Sequence, residues 1–230
     1  MHIDTLAPDR AAQFMDARRA WLDAVKKAGG VDRRGTFLQV DADRFYSVRP
    51  LARFAELDGR NDEFGRDLAP VPKSAGDAYD AASDTALVFP HTSEIWRLDG
   101  DLAYVPPTGA LDETTAACGR LVLEEPRPDP ASEERYDKAW AETKGALATA
   151  KYPLARVTYR SAFGAGRLVT FWLARSKEVL DSAPSIESAI AGVLGKERSV
   201  ALLREIDASV VRHEEHAVTR RADLSSPSPP

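Results

Sequence analysis

Residues 41–59, laid without gaps over residues 164–182, place Arg44 on Arg167, Ser47 on Thr170, Val48 on Phe171, Leu57 on Leu180 and Asp58 on Asp181. A correspondence that long implies one structural plan used twice, so any fold assigned to one half has to suit the other. The chain has 230 residues. Domains cluster at about 100–150 residues, which leaves room for two compact halves.

In the first half, Phe14, Ala17, Trp21 and Val25 recur at three- and four-residue spacing, widened by Met15 and Leu22, and predict an amphipathic helix over 11–28. Pro8 and Asp9 suit its start and Gly29-Gly30 its end. Thr36–Val40 and Arg44–Arg49, rich in aromatic and β-branched residues and separated by Asp41-Ala42-Asp43, predict a β-hairpin. A second helix is expected from Phe54 and Leu57 onward, interrupted by Pro70, Pro72 and Gly76 and resumed over 78–89, with a last strand at 93–98.

The second half repeats this order. Leu121–Glu125 predicts a strand, and Tyr136, Trp140, Thr143 and Leu147 form the stripe of a helix opened by Asp129-Pro130. Arg156–Tyr159 and Arg167–Leu173 predict a hairpin around Gly164-Ala165-Gly166, a further helical stretch is expected over 185–208, and Val210–Thr219 closes the unit. Both halves thus read strand, helix, strand, strand, helix, strand, the split βαβ order of a ferredoxin-like α+β fold. The expected organisation is a first repeat at 1–105, a linker at 106–119, a second repeat at 120–224 and a disordered Ser/Pro tail at 225–230. A sheet with helices on one face needs cover on the other, and a tandem copy supplies it when the two sheets pack face to face.

This plan resembles the dimeric α+β barrel superfamily fused into one chain, a group that includes antibiotic-biosynthesis-type monooxygenases, chlorite-dismutase-like haem proteins and NIPSNAP-type domains. The resemblance covers residues 2–104 and 121–224 and implies an intramolecular α+β barrel; if the chain is an enzyme, it implies cofactor-free or haem-type oxygenase chemistry. It carries no catalytic residue with it, since no family motif is present.

Composition removes other classes. Thirty-one basic residues against 36 acidic give a net charge of −5, which disfavours binding to nucleic acid by phosphate neutralisation. The single cysteine, Cys118, excludes an internal disulfide and multi-cysteine metal sites. No apolar run is long enough to span a membrane, and the start lacks an export leader, so the cytoplasm is the default location unless a leader once preceded Met1. Oligomeric state and cofactor are not encoded in any recognisable pattern.

Strand alternation sends Val169, Phe171 and Leu173 toward the helices, and Leu168, Thr170 and Trp172 into the space between the sheets. The same parity sends Phe45, Ser47 and Arg49 inward in the first half. The expected site is therefore a ligand space between the sheets, formed by Phe45, Arg49, Glu94, Trp96, Trp172 and His213, suited to a small hydrophobic or aromatic molecule with an acidic group for Arg49. The alternative is a non-catalytic protein–protein interaction module with that space filled, Arg49 being paired with Glu94. An open cavity around Arg49 and Trp172 favours the first. His213 and His216, three apart in a strand, face opposite ways and cannot share a metal; with His2 and His91 read as surface residues, no metal site is expected.

Overall fold

The computed structural model describes residues 1–112, 114–163 and 166–226. The chain forms two compact units, residues 1–94 together with the stretch from Arg220 onward, and residues 95–219. The turn residues Gly164 and Ala165 and the tail 227–230 lie outside the described residues.

The first unit runs β1 (His2–Leu6), α1 (Ala11–Ala28), β2 (Thr36–Val40), β3 (Arg44–Val48), a 3-10 turn (Phe54–Leu57), α2 (Arg60–Leu68), α3 (Lys73–Ala86) and β4 (Leu87–Ser93). Its strands lie in the order β4-β1-β3-β2, every pair antiparallel. Phe14, Trp21 and Val25 of α1 are buried in one cluster with Phe37, Phe45 and Tyr79. The left-handed Gly29 ends the helix. Pro8 and Asp9 precede the helix instead of forming its first turn, and no side chain caps it.

The stripe also includes a residue that hydropathy could not place there. Arg18 is wholly buried; its guanidinium donates to Asp32 at 2.5 Å, to the Leu224 carbonyl at 3.1 Å and to the Ser226 hydroxyl at 3.2 Å, and lies over the Phe37 ring. A buried guanidinium needs such partners. They hold Ser225 and Ser226 in the packed unit, so the first residues of the expected disordered tail are ordered.

The proline break divides α2 from α3 as expected, but the strand after it comes earlier than the sequence suggested. α3 stops at Ala86, and 87–93, not 93–98, pairs with β1. Val88, Phe89 and Thr92 are β-formers, and their helical-looking context hid them. Trp96–Leu98 forms a separate short strand, β5, in the second unit.

The second unit continues with β6 (Cys118–Pro126), α4 (Pro130–Thr149), β7 (Ala155–Ser161), β8 (Leu168–Ala174), α5 (Lys177–Ser182), α6 (Ile186–Leu194), α7 (Lys196–Ala208) and β9 (Val210–Arg220). Asp129 caps α4 through the Ser132 amide at 2.8 Å, with Pro130 in the first turn. Strand order is β9-β6-β8-β7-β5, again antiparallel, so the first unit's order recurs with β5 added at one edge. The helical stretch 185–208 is interrupted at Gly195 and is no more regular than its counterpart. Part of the expected linker is packed: Leu111 and Ala116 are buried, as are Leu102 and Tyr104 just before it, and the Tyr104 hydroxyl donates to the Tyr152 carbonyl at 2.9 Å. Among the described residues no helix is long and apolar enough to cross a membrane.

Face assignment is the main correction. Leu168 and Trp172 share a cluster with Tyr136, Trp140 and Leu147 of α4, so they face the helices. Phe45 likewise packs on Phe14 of α1, ring centroids 5.9 Å apart. Phe45, Leu168 and Trp172 therefore lie on the face opposite to the one expected. Both faces of β8 are apolar, every one of its residues is buried, and alternation alone could not tell them apart.

Candidate functional site

Strand register in the second unit aligns the polar groups of one sheet face. Glu124 of β6 stands across from His213 of β9 and Leu168 of β8; the next row joins Glu215, Val122, Thr170 and Thr158, and the row after it brings Arg120 and Trp172 beside Arg156 of β7. These residues share the face that meets α4, α6 and α7. Where the helices do not seal against it, a cavity of about 220 Å³ remains. Its floor includes Glu124, Arg156, Trp172 and His213, and its roof Trp140, Ile186, Leu203 and Ile206.

Behind its inner wall, Glu124 and Arg156 belong to a buried chain of polar groups. The Tyr136 hydroxyl donates to Glu124 Oε2 at 2.5 Å and accepts from Arg156 Nη2 at 3.3 Å, while Arg156 Nη1 donates to the Leu102 carbonyl. The guanidinium stacks on the Trp140 ring, 3.7 Å from its centroid. Its Nε–H, like the Trp140 indole N–H, is buried without a hydrogen bond. At the outer end, His213 Nδ1 lies 3.5 Å from Glu124 Oε1, with its side chain about half exposed.

Burial, reinforced by the adjacent Glu124 charge, pushes the Tyr136 phenol well above its ordinary pKa, so Tyr136 stays a donor. Burial lowers the pKa of Arg156, against the opposing pull of Tyr136 and Glu124. The Glu124 contact raises that of His213, partly offset by desolvation. Glu124 therefore sits between the Tyr136 hydroxyl, a permanent donor, and an imidazole whose pKa is raised, an arrangement able to accept and pass on a proton.

Of the residues expected to form a site, the structure brings Trp172 and His213 together in this cavity. The others do not join them. Phe45 is fully buried core of the first unit, Arg49 lies 3.8 Å from Glu63 rather than against Glu94, and the Glu94 backbone pairs with Met1. Trp96, in β5, lies under the Arg167 guanidinium. Glu124, Tyr136 and Arg156 were not singled out from the sequence. Their signal was present: Val122 and Glu124 share a strand face, and Arg156 lies near the start of β7, where it pairs with Trp172. His216, opposite Leu121, faces away from His213, as the strand period requires.

The cavity is smaller than the roughly 300–1,000 Å³ of drug-sized ligand sites. A haem, bulkier than such ligands, does not fit it.

No protein-family model matches the chain, and no curated protein matches it in sequence. Solved structures do match in fold. A provisionally assigned monooxygenase from Fusobacterium nucleatum superposes with a TM-score of 0.54 at 7% identity, over 99% of this chain and 92% of its own. Another provisionally assigned monooxygenase, from Lactobacillus acidophilus, gives 0.50 at 10% identity, over 98% and 96%. At these identities the likeness concerns fold alone.

Proposed function

We propose that this chain binds a small, planar hydrophobic or aromatic molecule in the cavity between the sheet and helices of its second unit. The observation that carries this reading is the pairing of an indole-lined cavity of about 220 Å³ with a buried Arg156–Tyr136–Glu124 chain that opens through His213. An apolar cavity of about 150 Å³ accepts benzene, so this one suits one or two fused rings. Glu124, Glu215 and Asp207 outnumber Arg156 and His213 along the wall, which favours a neutral ligand with a hydroxyl to donate over an acidic one. Glu124, with His213 beside it, would take the proton of that hydroxyl. Binding of a hydrophobic small molecule also agrees with the monooxygenase assignments given to the two chains of similar fold. The shared strand order supports reading the two units as copies of one ferredoxin-like module.

Native mass spectrometry of the freshly purified chain, with extraction of what it carries, tests the proposal. We expect a bound neutral aromatic compound in the wild type and none in Ile186→Trp, which fills the cavity from α6. Equal retention by both would place the ligand elsewhere and refute the assignment.

A further inference from the structure

We infer that the first unit carries a binding site for a divalent first-row transition metal ion, formed by His2, Asp4 and His91, a site independent of the cavity in the second unit. Strand geometry assembles it. His2 and Asp4 are two apart on β1 and so share a face, the one on which Asp4 stands opposite Phe45. Across the other edge of β1, His2 pairs with Ser93 and Ile3 with Thr92, and that register, carried one step further, sets His91 against Asp4, where the ladder breaks. Two imidazoles and a carboxylate thereby converge from adjacent strands, with one ligand atom from each within 4.8 Å of the others.

Three details point to a cation in place of a plain histidine–aspartate contact. Asp4 is 7% exposed, and its Oδ1 is buried without a hydrogen bond. His2 Nε2 lies 3.0 Å from that oxygen yet is not aligned to donate to it. Two ligand atoms, each about 2.0–2.2 Å from one metal ion, stand roughly 3 Å apart, so the existing separation matches an edge of a coordination polyhedron. The other nitrogen of His2, Nδ1, lies 2.7 Å from Ser93 Oγ. That contact holds the ring and leaves Nε2 free to present its lone pair, the outer support typical of ligating histidines. The His2 and His91 rings are already neighbours, centroids 5.1 Å apart. Paired imidazoles with one carboxylate select zinc, cobalt, nickel or copper over magnesium or calcium, which prefer all-oxygen sites. His91 is exposed, so solvent can complete the coordination.

Titration of the untagged chain with Zn²⁺, read by calorimetry, and with Co²⁺, read by visible absorption, tests the site. We expect one equivalent of either metal. His91→Gln and Asp4→Asn should each weaken binding at least about tenfold, and Ser93→Ala should weaken it by about tenfold through the His2 ring. His91 is on the surface, so its variant should keep the wild-type circular dichroism spectrum. His213→Gln and His216→Gln, which change the only other histidines, should bind as the wild type does. Absence of binding by the wild type, wild-type affinity in folded His91→Gln, or loss of binding in His213→Gln or His216→Gln would each overturn the inference.

Discussion

Replacing Tyr136 with phenylalanine removes one oxygen from the core of the second unit and changes the packing around it very little in shape. That oxygen donates at 2.5 Å to Glu124, which is 5% exposed, and accepts at 3.3 Å from Arg156. A hydrogen bond to a buried carboxylate contributes about 1.5–3 kcal/mol, and the longer bond about 0.5–1 kcal/mol. Without the hydroxyl, Glu124 keeps the imidazole of His213 at 3.5 Å, and Arg156 keeps the Leu102 carbonyl. Tyr136→Phe should therefore cost about 2–4 kcal/mol. With a urea m-value near 3 kcal/mol/M, the midpoint should fall by roughly 1 M with no change in slope. Glu124→Gln removes the charge that makes the bond strong, so Tyr136→Phe in that background should cost only about 1 kcal/mol, leaving a coupling of about 1–3 kcal/mol. Additive effects, or a loss below about 0.5 kcal/mol for Tyr136→Phe, would refute the claim that the hydroxyl bridges these charges.

Asp32 sets an acid limit on the first unit. Burial pushes its carboxyl up, but the charge and hydrogen bond of Arg18 outweigh this and hold its pKa at about 2. Because the folded value lies below the unfolded one, the stabilisation is complete above about pH 4 and disappears as pH falls toward 2, about 2 kcal/mol in all. Urea midpoints across that range should fall more steeply for the wild type than for Asp32→Asn; parallel curves would count against the pair. His213, with a raised pKa, contributes stability below about pH 6.5 that is lost as pH rises through its folded value. NMR titration should show that raised value return toward normal in Glu124→Gln, and an unchanged value would remove Glu124 as its cause. Gly119→Ala places a Cβ against the Trp172 carbonyl, where β6 and β8 approach closely, and should destabilise by ~1–3 kcal/mol. Wild-type thermal stability in that variant would contradict the close approach.

The order of elements was legible because stripes such as Phe14, Trp21 and Val25 and the hairpin at 36–48 state their periods openly. The site was less legible, for specific reasons. Trp172 and His213 were found, but β8 is apolar on both faces, so the parity that located Trp172 assigned its face in reverse. Arg18 and Arg156 occupy buried positions where hydropathy predicts none, because partners distant in sequence, Ser226 in one case and Leu102 in the other, satisfy them. His2 and His91 are 89 positions apart and meet only through the pairing of β1 with β4, a strand whose limits the sequence misplaced.

The most direct test of the binding site uses the four tryptophans as reporters. Trp140 and Trp172 line the cavity, while Trp21 is bonded to Asp32 in the first unit and Trp96 lies in the edge strand β5. In a ¹H–¹⁵N spectrum of the labelled chain, titration with phenol and 2-naphthol should shift the indole signals of Trp140 and Trp172 saturably, leave those of Trp21 and Trp96 in place, and give no shift in Ile186→Trp. Shifts confined to Trp21 or Trp96, or no saturable shift with either compound, would contradict a small-molecule site in the second unit.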